Sequence, residues 1–96
     1  MTMENVSNNM EQPFLTIFGK ANCPACISAA SLLESYGIKH NVIKIDEDEE
    51  AKQFILGRGF RTVPQIFHGD KLFVEGGFLG LMKLSEDEIR AILYGN

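Results

Sequence analysis

Two side chains in this chain can exchange electrons with a substrate, and they belong to Cys23 and Cys26, its only cysteines. At this spacing across the first turn of a helix, both thiols lie on the same face and their Cα atoms can meet the distance that a disulfide requires. An apolar run precedes the pair and an apolar-periodic segment follows it, so the pair lies where a strand ends and a helix begins. This arrangement predicts a thiol–disulfide redox site.

The two sulfurs are predicted to have different roles. Cys23 lies just before the helix, where backbone N–H groups and the positive helix end stabilise a thiolate, and Lys20 adds positive charge. Pro24 fits the first helical turn, where its missing N–H costs nothing. We therefore expect Cys23 to be the more exposed sulfur and the nucleophile. Cys26, one turn inside the helix, is expected to be the more buried resolving thiol, which attacks the mixed disulfide.

A metal site is the alternative chemistry for two cysteines, because thiolates and neutral imidazoles are zinc ligands. The two histidines, His40 and His68, lie on either side of the second predicted helix, in a spacing that fits the usual zinc sites poorly. The acidic run at residues 46–50 lacks the glycine and the uncharged ligands of a calcium loop. We predict no metal site: the histidines are surface residues at strand ends, and Asp46 or Asp48 caps a helix.

The elements that position the cysteines are predicted from hydrophobic periodicity and turn residues. In chain order we expect a strand at Phe14–Phe18, a helix from Pro24 to Gly37 and a strand at Asn41–Ile45. The next helix contains Ala51, Phe54 and Ile55 and ends at Gly57 and Gly59, and a β-hairpin of Gln65–Phe67 and Leu72–Val74 follows around Gly69-Asp70. The final helix starts at the capping box of Ser85 and Glu88 and has Ile89, Ile92 and Leu93 on one face.

This order predicts an α/β domain with a four-stranded mixed sheet. A βαβ crossover makes the first two strands parallel, and the hairpin adds two antiparallel strands to the same sheet. Helices then cover both faces of the sheet, in the order βαβ–ββα. The cysteines are expected at the carboxyl end of the first strand.

Composition and charge limit the class of protein. Ninety-six residues, 45% of them hydrophobic, suffice for one domain with one core. Residues 1–12 are predicted to form a flexible leader, which leaves residues 13–96 as the domain. A net charge of −4 argues against binding to nucleic acid or to an anionic membrane. Neither a transmembrane helix nor a signal peptide is predicted, so we expect a soluble cytoplasmic protein with catalytic cysteines.

Two further motifs each have a structural and a functional interpretation. Val63-Pro64 precedes the hairpin. Only about 5–6% of X-Pro bonds are cis, so the first interpretation is a trans proline at a strand edge. The second is a turn that leaves the Val63 backbone groups unpaired beside the cysteines. Gly76-Gly77 is either a flexible turn or a source of bare N–H groups for a carboxylate. On the residues alone both interpretations stay open.

Together these motifs resemble glutaredoxins, small members of the thioredoxin superfamily with a thioredoxin-like three-layer fold. The resemblance runs from Phe14 to the C-terminus and rests on Lys20-x-x-Cys23-Pro24-x-Cys26, on the segment 61–67, on Gly76-Gly77 and on the βαβ–ββα order. It implies a cis Pro64, a Val63 backbone that pairs with a bound thiol peptide, and Gly77 and Phe78 amides that hold the γ-glutamyl carboxylate of glutathione. The glutathione-binding residues that it implies are Lys20, Arg61, Thr62, Val63, Pro64, Gly76, Gly77 and Phe78.

The resemblance implies a monomeric, glutathione-dependent thiol–disulfide oxidoreductase that reduces protein disulfides and glutathione mixed disulfides. Ribonucleotide reductase is a candidate protein substrate. Three alternatives are a thioredoxin-like electron donor reduced by a flavoprotein reductase, a carrier in which Cys23 of two subunits and two glutathiones hold an iron–sulfur cluster, and a partner-binding module with structural cysteines.

Two positions depart from the family pattern. Glutaredoxins often have Tyr where this chain has Ala25, and many have Asp, which meets the amino group of glutathione, where this chain has Gly80. A charge-assisted contact of that kind is worth about 1.5–3 kcal/mol, or tenfold or more in affinity. The thioredoxin-like alternative therefore stays open.

Overall fold

The structure, a computed structural model, describes residues 12–95. Its elements, in chain order, are β1 (Leu15–Gly19), α1 (Pro24–Ser35), β2 (His40–Lys44), α2 (Glu49–Gly57), β3 (Gln65–His68), β4 (Lys71–Val74), α3 (Gly77–Met82) and α4 (Glu86–Leu93). The sheet order is β2-β1-β3-β4. The β1–β2 pair is parallel, and the β1–β3 and β3–β4 pairs are antiparallel. The predicted four-stranded mixed sheet is confirmed. Of the predicted leader, residues 1–11 lie outside the described part of the chain.

Strand β1 is central in the sheet, and all five of its residues are buried. Because successive side chains of a strand point to opposite faces, β1 contributes to two cores. Leu15 and Ile17 pack on one face with residues of α1, α3 and α4, and Phe18 packs on the other face with α2. The helices therefore cover both faces, as the sequence predicts. The buried end of β1 fixes the start of the loop that leads to Cys23.

The smaller core, beside α2, is aromatic. Phe67 of β3 contacts three other phenylalanines edge-on, with ring centroids 5.2 Å from Phe54, 5.5 Å from Phe18 and 6.0 Å from Phe60. Edge-to-face contacts of this kind add about 0.5–1.5 kcal/mol each to the burial of the rings. They pack α2, and the loop after it, against the sheet.

The predicted helix ends are largely confirmed. The Asp48 carboxylate accepts a hydrogen bond from Ala51 N at 3.0 Å and caps α2, whereas Asp46 binds elsewhere. The capping box of Ser85 and Glu88 forms at the start of α4, with bonds of 2.8 and 3.1 Å. Gly37, with φ 68°, follows the end of α1. The hairpin turns at Gly69-Asp70 between the paired residues on either side.

Several details differ from the sequence predictions. Strand β1 spans Leu15–Gly19, one residue later than expected, and each hairpin strand extends one residue further toward the turn. Strand β2 spans His40–Lys44, one residue earlier than expected, and because it is an edge strand its Val42 is 43% exposed. Ile92 is 53% exposed, since it lies on the flank of α4 while Ile89 and Leu93 fill the inward position. Helix α3 is absent from the sequence predictions, because six residues with two glycines give no readable period. No helix within residues 12–95 is long and apolar enough to cross a membrane.

Candidate redox site

The cysteine pair lies at the start of α1, after the carboxyl end of β1. Cys23 is the N-cap of α1 and Pro24 is its first residue. Cys23 and Cys26 form a disulfide with their Cα atoms 5.2 Å apart, within the usual range of 4.4–6.8 Å. The Cys23 sulfur also accepts a hydrogen bond from Cys26 N at 3.2 Å. A free N–H group of the first helical turn therefore points at Cys23, which is the arrangement that stabilises a thiolate there.

The expected contrast in exposure is nearly absent. Cys23 is 7% exposed and Cys26 is 5% exposed, because in the disulfide both sulfurs share the same buried position. Their surroundings differ more. Cys23 lines an open hollow of about 380 Å³, the nucleophile pocket, whose other lining residues are Lys20, Asn22, Pro24, Ile45, Arg61, Thr62 and Val63. The Cys26 sulfur lies against β1, only 2.9 Å from where a Cβ on Gly19 would stand.

A larger cavity of about 630 Å³, the groove, lies next to the nucleophile pocket. It is lined by Ala25, Phe60, Thr62, Val63, Pro64, Gln65, Leu72, Glu75, Gly76, Gly77, Phe78 and Leu79. Thr62 and Val63 line both cavities, so the two hollows meet at this segment. The Val63–Pro64 peptide bond is cis, as the resemblance implies.

A buried amide holds the segment between the two cavities. Gln65, 6% exposed, donates from Nε2 to the Thr62 carbonyl oxygen at 3.0 Å and to its hydroxyl at 3.2 Å. The sequence predicts Gln65 only as a strand residue and does not reveal this role. A polar residue at the start of an apolar strand does not by itself indicate a structural role. Only the burial of Gln65 in the fold shows that its amide needs a hydrogen-bond partner.

Gly76 and Gly77 line the groove beside the cis-proline turn. Both have left-handed backbone, with φ 91° and 60°. A Cβ on Gly77 would stand 2.7 Å from the Pro64 carbonyl oxygen, so the missing side chain lets α3 approach the cis-proline turn. Gly77 and Phe78 are the first two residues of α3, whose N–H groups have no acceptor within a helix.

The position of the missing family carboxylate cannot hold a side chain in this backbone. A Cβ on Gly80 would overlap the carbonyl oxygen of Glu75. The one charged side chain among the described residues that line the groove is that of Glu75 itself. Ala25 lines the groove too, so its small side chain leaves this rim open.

The positive charge of the site lies in the nucleophile pocket, whereas the groove contains Glu75. Lys20 and Arg61 line the nucleophile pocket with Cys23. Lys20 also lines a neighbouring hollow of about 530 Å³, the acidic pocket, whose other residues are Ile45, Asp46, Glu47, Asp48, Glu49 and Lys52. Lys20 therefore lies between the cysteine and the acidic run. Every glutathione-binding residue that the resemblance implies lines the groove or the nucleophile pocket, whereas Cys26 lines neither.

The histidines lie away from this arrangement. His40 begins β2, with Nδ1 2.8 Å from the Ile38 carbonyl oxygen, and the exposed His68 ends β3. Within the described residues, no group of three or more His, Cys, Asp or Glu side chains could hold a metal ion. What the cysteines can do in this setting is exchange their disulfide with an external thiol.

Comparisons with known proteins agree with this geometry. A family model described as Glutaredoxin matches residues 15–73. A glutaredoxin of Ricinus communis is 34% identical over 74 residues, which are 73% of this chain and 69% of that protein. The fold is similar to the buckwheat glutaredoxin–glutathione complex, with 25% identity, a TM-score of 0.68 and coverage of 85% of this chain and 77% of the other. It is also similar to the glutaredoxin-like NrdH-redoxin of Escherichia coli, with 26% identity, a TM-score of 0.61 and coverage of 79% and 90%.

The family model covers more than half of the chain, including both cysteines and the cis proline. The chain has a cysteine pair that forms a disulfide at the start of α1, on a thioredoxin-like sheet. The chain is a thiol–disulfide oxidoreductase that belongs to the glutaredoxin family.

Proposed function

We propose that the protein uses glutathione to reduce protein disulfides and glutathione mixed disulfides. The observation that carries this proposal is the layout of the site: Cys23 opens into one pocket with two cations, and a groove continues from it past the cis-proline turn to Gly77. A thiol peptide with a carboxylate at each end fits such a layout, since one end can reach Lys20 or Arg61 while the other lies at the start of α3.

The reaction is a sequence of thiol–disulfide exchanges. The Cys23 thiolate attacks one sulfur of the substrate disulfide; a bond forms between them, the substrate S–S bond breaks, and the leaving thiolate takes a proton from solvent. The Cys26 thiol loses its proton and attacks the Cys23 sulfur. The Cys23–Cys26 disulfide forms, the bond between Cys23 and the substrate sulfur breaks, and the leaving thiolate takes a proton from solvent, so the substrate has gained two electrons and the enzyme is oxidised.

Two glutathione molecules return the enzyme to its dithiol form. The thiolate of the first attacks the Cys23 sulfur, forms a mixed disulfide and frees Cys26, which takes up a proton. The thiolate of the second attacks the glutathione sulfur of that mixed disulfide. Oxidised glutathione leaves, and the Cys23 thiolate is regenerated.

The residues around the cysteines support these steps. The Val63 backbone lines the nucleophile pocket with Cys23 and follows Thr62, which Gln65 holds, and it offers N–H and C=O groups to the peptide that carries the attacking sulfur. The similar buckwheat glutaredoxin was solved as a complex with glutathione, which adds support for the same ligand here. We further propose a monomer that acts in the cytoplasm, with ribonucleotide reductase among its candidate substrates.

A thioredoxin-like carrier, reduced by a flavoprotein reductase, is the second candidate. The absent side chain at Gly80 and the open rim at Ala25 favour it. A similar structure, the NrdH-redoxin of Escherichia coli, is described as having a thioredoxin-like activity profile.

Two coupled assays separate the candidates. The purified protein is given a disulfide peptide, with NADPH and either glutathione plus glutathione reductase or thioredoxin reductase, and NADPH oxidation is followed. We expect turnover that depends on glutathione and on Cys23. Turnover with thioredoxin reductase alone would contradict the glutathione proposal, and the Cys23→Ser variant controls for uncatalysed exchange in both assays.

A further inference from the structure

The short loop between β1 and α1 positions the nucleophile, Cys23. It consists of Lys20, Ala21 and Asn22, and Cys23 follows it directly as the N-cap of α1. Asn22 has φ 58°, a left-handed conformation that is uncommon outside glycine but that asparagine adopts more often than most residues.

Two hydrogen bonds from the end of β2 reach this region. Ile45 N donates to the Gly19 carbonyl oxygen at 2.8 Å, which fixes the last residue of β1. Ala21 N donates to Asp46 Oδ2 at 3.2 Å, across 25 residues of sequence. The second bond is the one that ties the middle of the loop to the body of the protein.

Asp46 differs from its acidic neighbours in this respect. Asp48 caps α2, and Glu49 accepts a bond from Gln53 within the same helix at 2.9 Å. The Asp46 carboxylate instead crosses to the loop before the nucleophile. Since Asp46 lies in the turn directly after β2, its position is set by the parallel pairing of β2 with β1.

We propose that Asp46 is a positioning residue for Cys23. Its side-chain oxygen holds Ala21, which keeps Asn22 left-handed and places Cys23 at the N-cap, where the Cys26 N–H points at its sulfur. The role concerns the reactivity of the Cys23 thiolate. It therefore goes beyond the proposed use of glutathione and applies equally to a flavoprotein-reduced carrier.

Asp46 has two opposite effects on the Cys23 thiolate: its negative charge destabilises the thiolate, whereas its hydrogen bond to Ala21 stabilises it. The charged groups around Cys23 are Lys20 and Arg61 in the nucleophile pocket, with the acidic pocket beyond Lys20. A carboxylate near Lys20 weakens the positive field at the sulfur, whereas the bond to Ala21 preserves the geometry that favours the thiolate. Asp46→Asn removes the charge and keeps an oxygen acceptor, while Asp46→Ala removes both.

The test is the pH profile of alkylation of Cys23 in the reduced full-length protein. Iodoacetamide is the reagent, and peptide mass spectrometry quantifies the modification at Cys23. We expect Asp46→Ala to react at least about threefold more slowly at pH 7 than Asp46→Asn, with a higher midpoint, because a positioning hydrogen bond is lost. Glu47→Gln, which removes a neighbouring charge from the acidic pocket, should match Asp46→Asn. Coincident profiles for Asp46→Ala and Asp46→Asn would overturn the proposal.

A second measurement needs no variant. Amide hydrogen exchange of Ala21 in the wild-type protein should be slowed by its bond to Asp46, in contrast to the rapid exchange of an open loop. Exchange at the rate of an unstructured peptide would overturn the proposal. Neither measurement uses glutathione, so both can succeed or fail independently of the proposed function.

Discussion

Gly77 stands against Pro64: a Cβ on the glycine would lie 2.7 Å from the proline carbonyl oxygen. This contact joins two motifs that are far apart in the sequence and makes them two sides of one groove. The site thus depends on an absent side chain as much as on the two cysteines.

Gly77→Ala should therefore damage both stability and ligand binding. The left-handed backbone at φ 60° costs a residue with a Cβ about 1–2 kcal/mol, and the overlap with Pro64 widens the groove. Gly69→Ala is a matched control, since Gly69 has φ 65° but no described atom near its Cβ position. Urea unfolding should show a loss in both variants, and the KM for glutathione should rise only in Gly77→Ala. An equal KM in both would contradict the role of the contact.

The two cysteines should be separable by substitution. Cys26→Ser should leave a mixed disulfide on Cys23 that can be trapped and identified by mass spectrometry, because the resolving thiol is missing. Cys23→Ser should abolish disulfide reduction. Their similar burial makes this experiment decisive, since exposure alone does not assign the roles. If the Cys23→Ser variant trapped a mixed disulfide on Cys26, the two roles would have to be exchanged.

Gly80→Asp should not restore the carboxylate that many glutaredoxins have at this position. The new Cβ would overlap the Glu75 carbonyl oxygen, and overpacking against backbone costs about 1–3 kcal/mol. Thermal unfolding should show a lower Tm, with no gain in affinity for glutathione. Gly57→Asp, at a position with no described atom within 4 Å of the added Cβ, is the control. Tighter binding by a stable Gly80→Asp protein would show that α3 can shift.

Glu75→Gln should weaken the binding of glutathione modestly. Glu75 lines the groove and can attract the ammonium group of the γ-glutamyl residue, but it is exposed, so the contact is worth about 0.2–1 kcal/mol. The KM for glutathione should rise about 1.4- to fivefold, and the effect should fade at high salt. Glu34→Gln, on α1 away from the groove, should leave the KM unchanged. A salt-independent change would point to packing instead of charge.

Gln65→Leu should loosen the turn beside the cysteines. It removes the donor to the carbonyl and hydroxyl oxygens of Thr62, which is exposed, so the loss of these hydrogen bonds should cost about 0.5–1.5 kcal/mol. Thr62→Val removes only the hydroxyl and should cost less. Urea unfolding and the KM for glutathione measure the two effects. If both variants behaved alike, the bond to the carbonyl would have no special role.

The sequence determined the redox centre and most of the sheet. Cys23 and Cys26 carry their spacing and their place before a helix in the local sequence, and strong periodicity or turn chemistry marks β1, α1 and the Gly69-Asp70 hairpin. Local signals of this kind need no tertiary contact to be read. Helix α3 and the exposure of Ile92 escaped prediction, because short helices and helix flanks are decided by what packs against them.

The tertiary structure decided how distant residues share one site. Only the folded chain places Gly77 against Pro64, buries the Gln65 amide under Thr62, and closes the space at Gly80 against Glu75. It also separates Asp46, which reaches the loop before Cys23, from Asp48, which caps a helix, although both belong to one acidic run. Sequence spacing sets which groups share a helical turn, but contacts between strands and loops depend on sheet register, and register follows from packing the whole core.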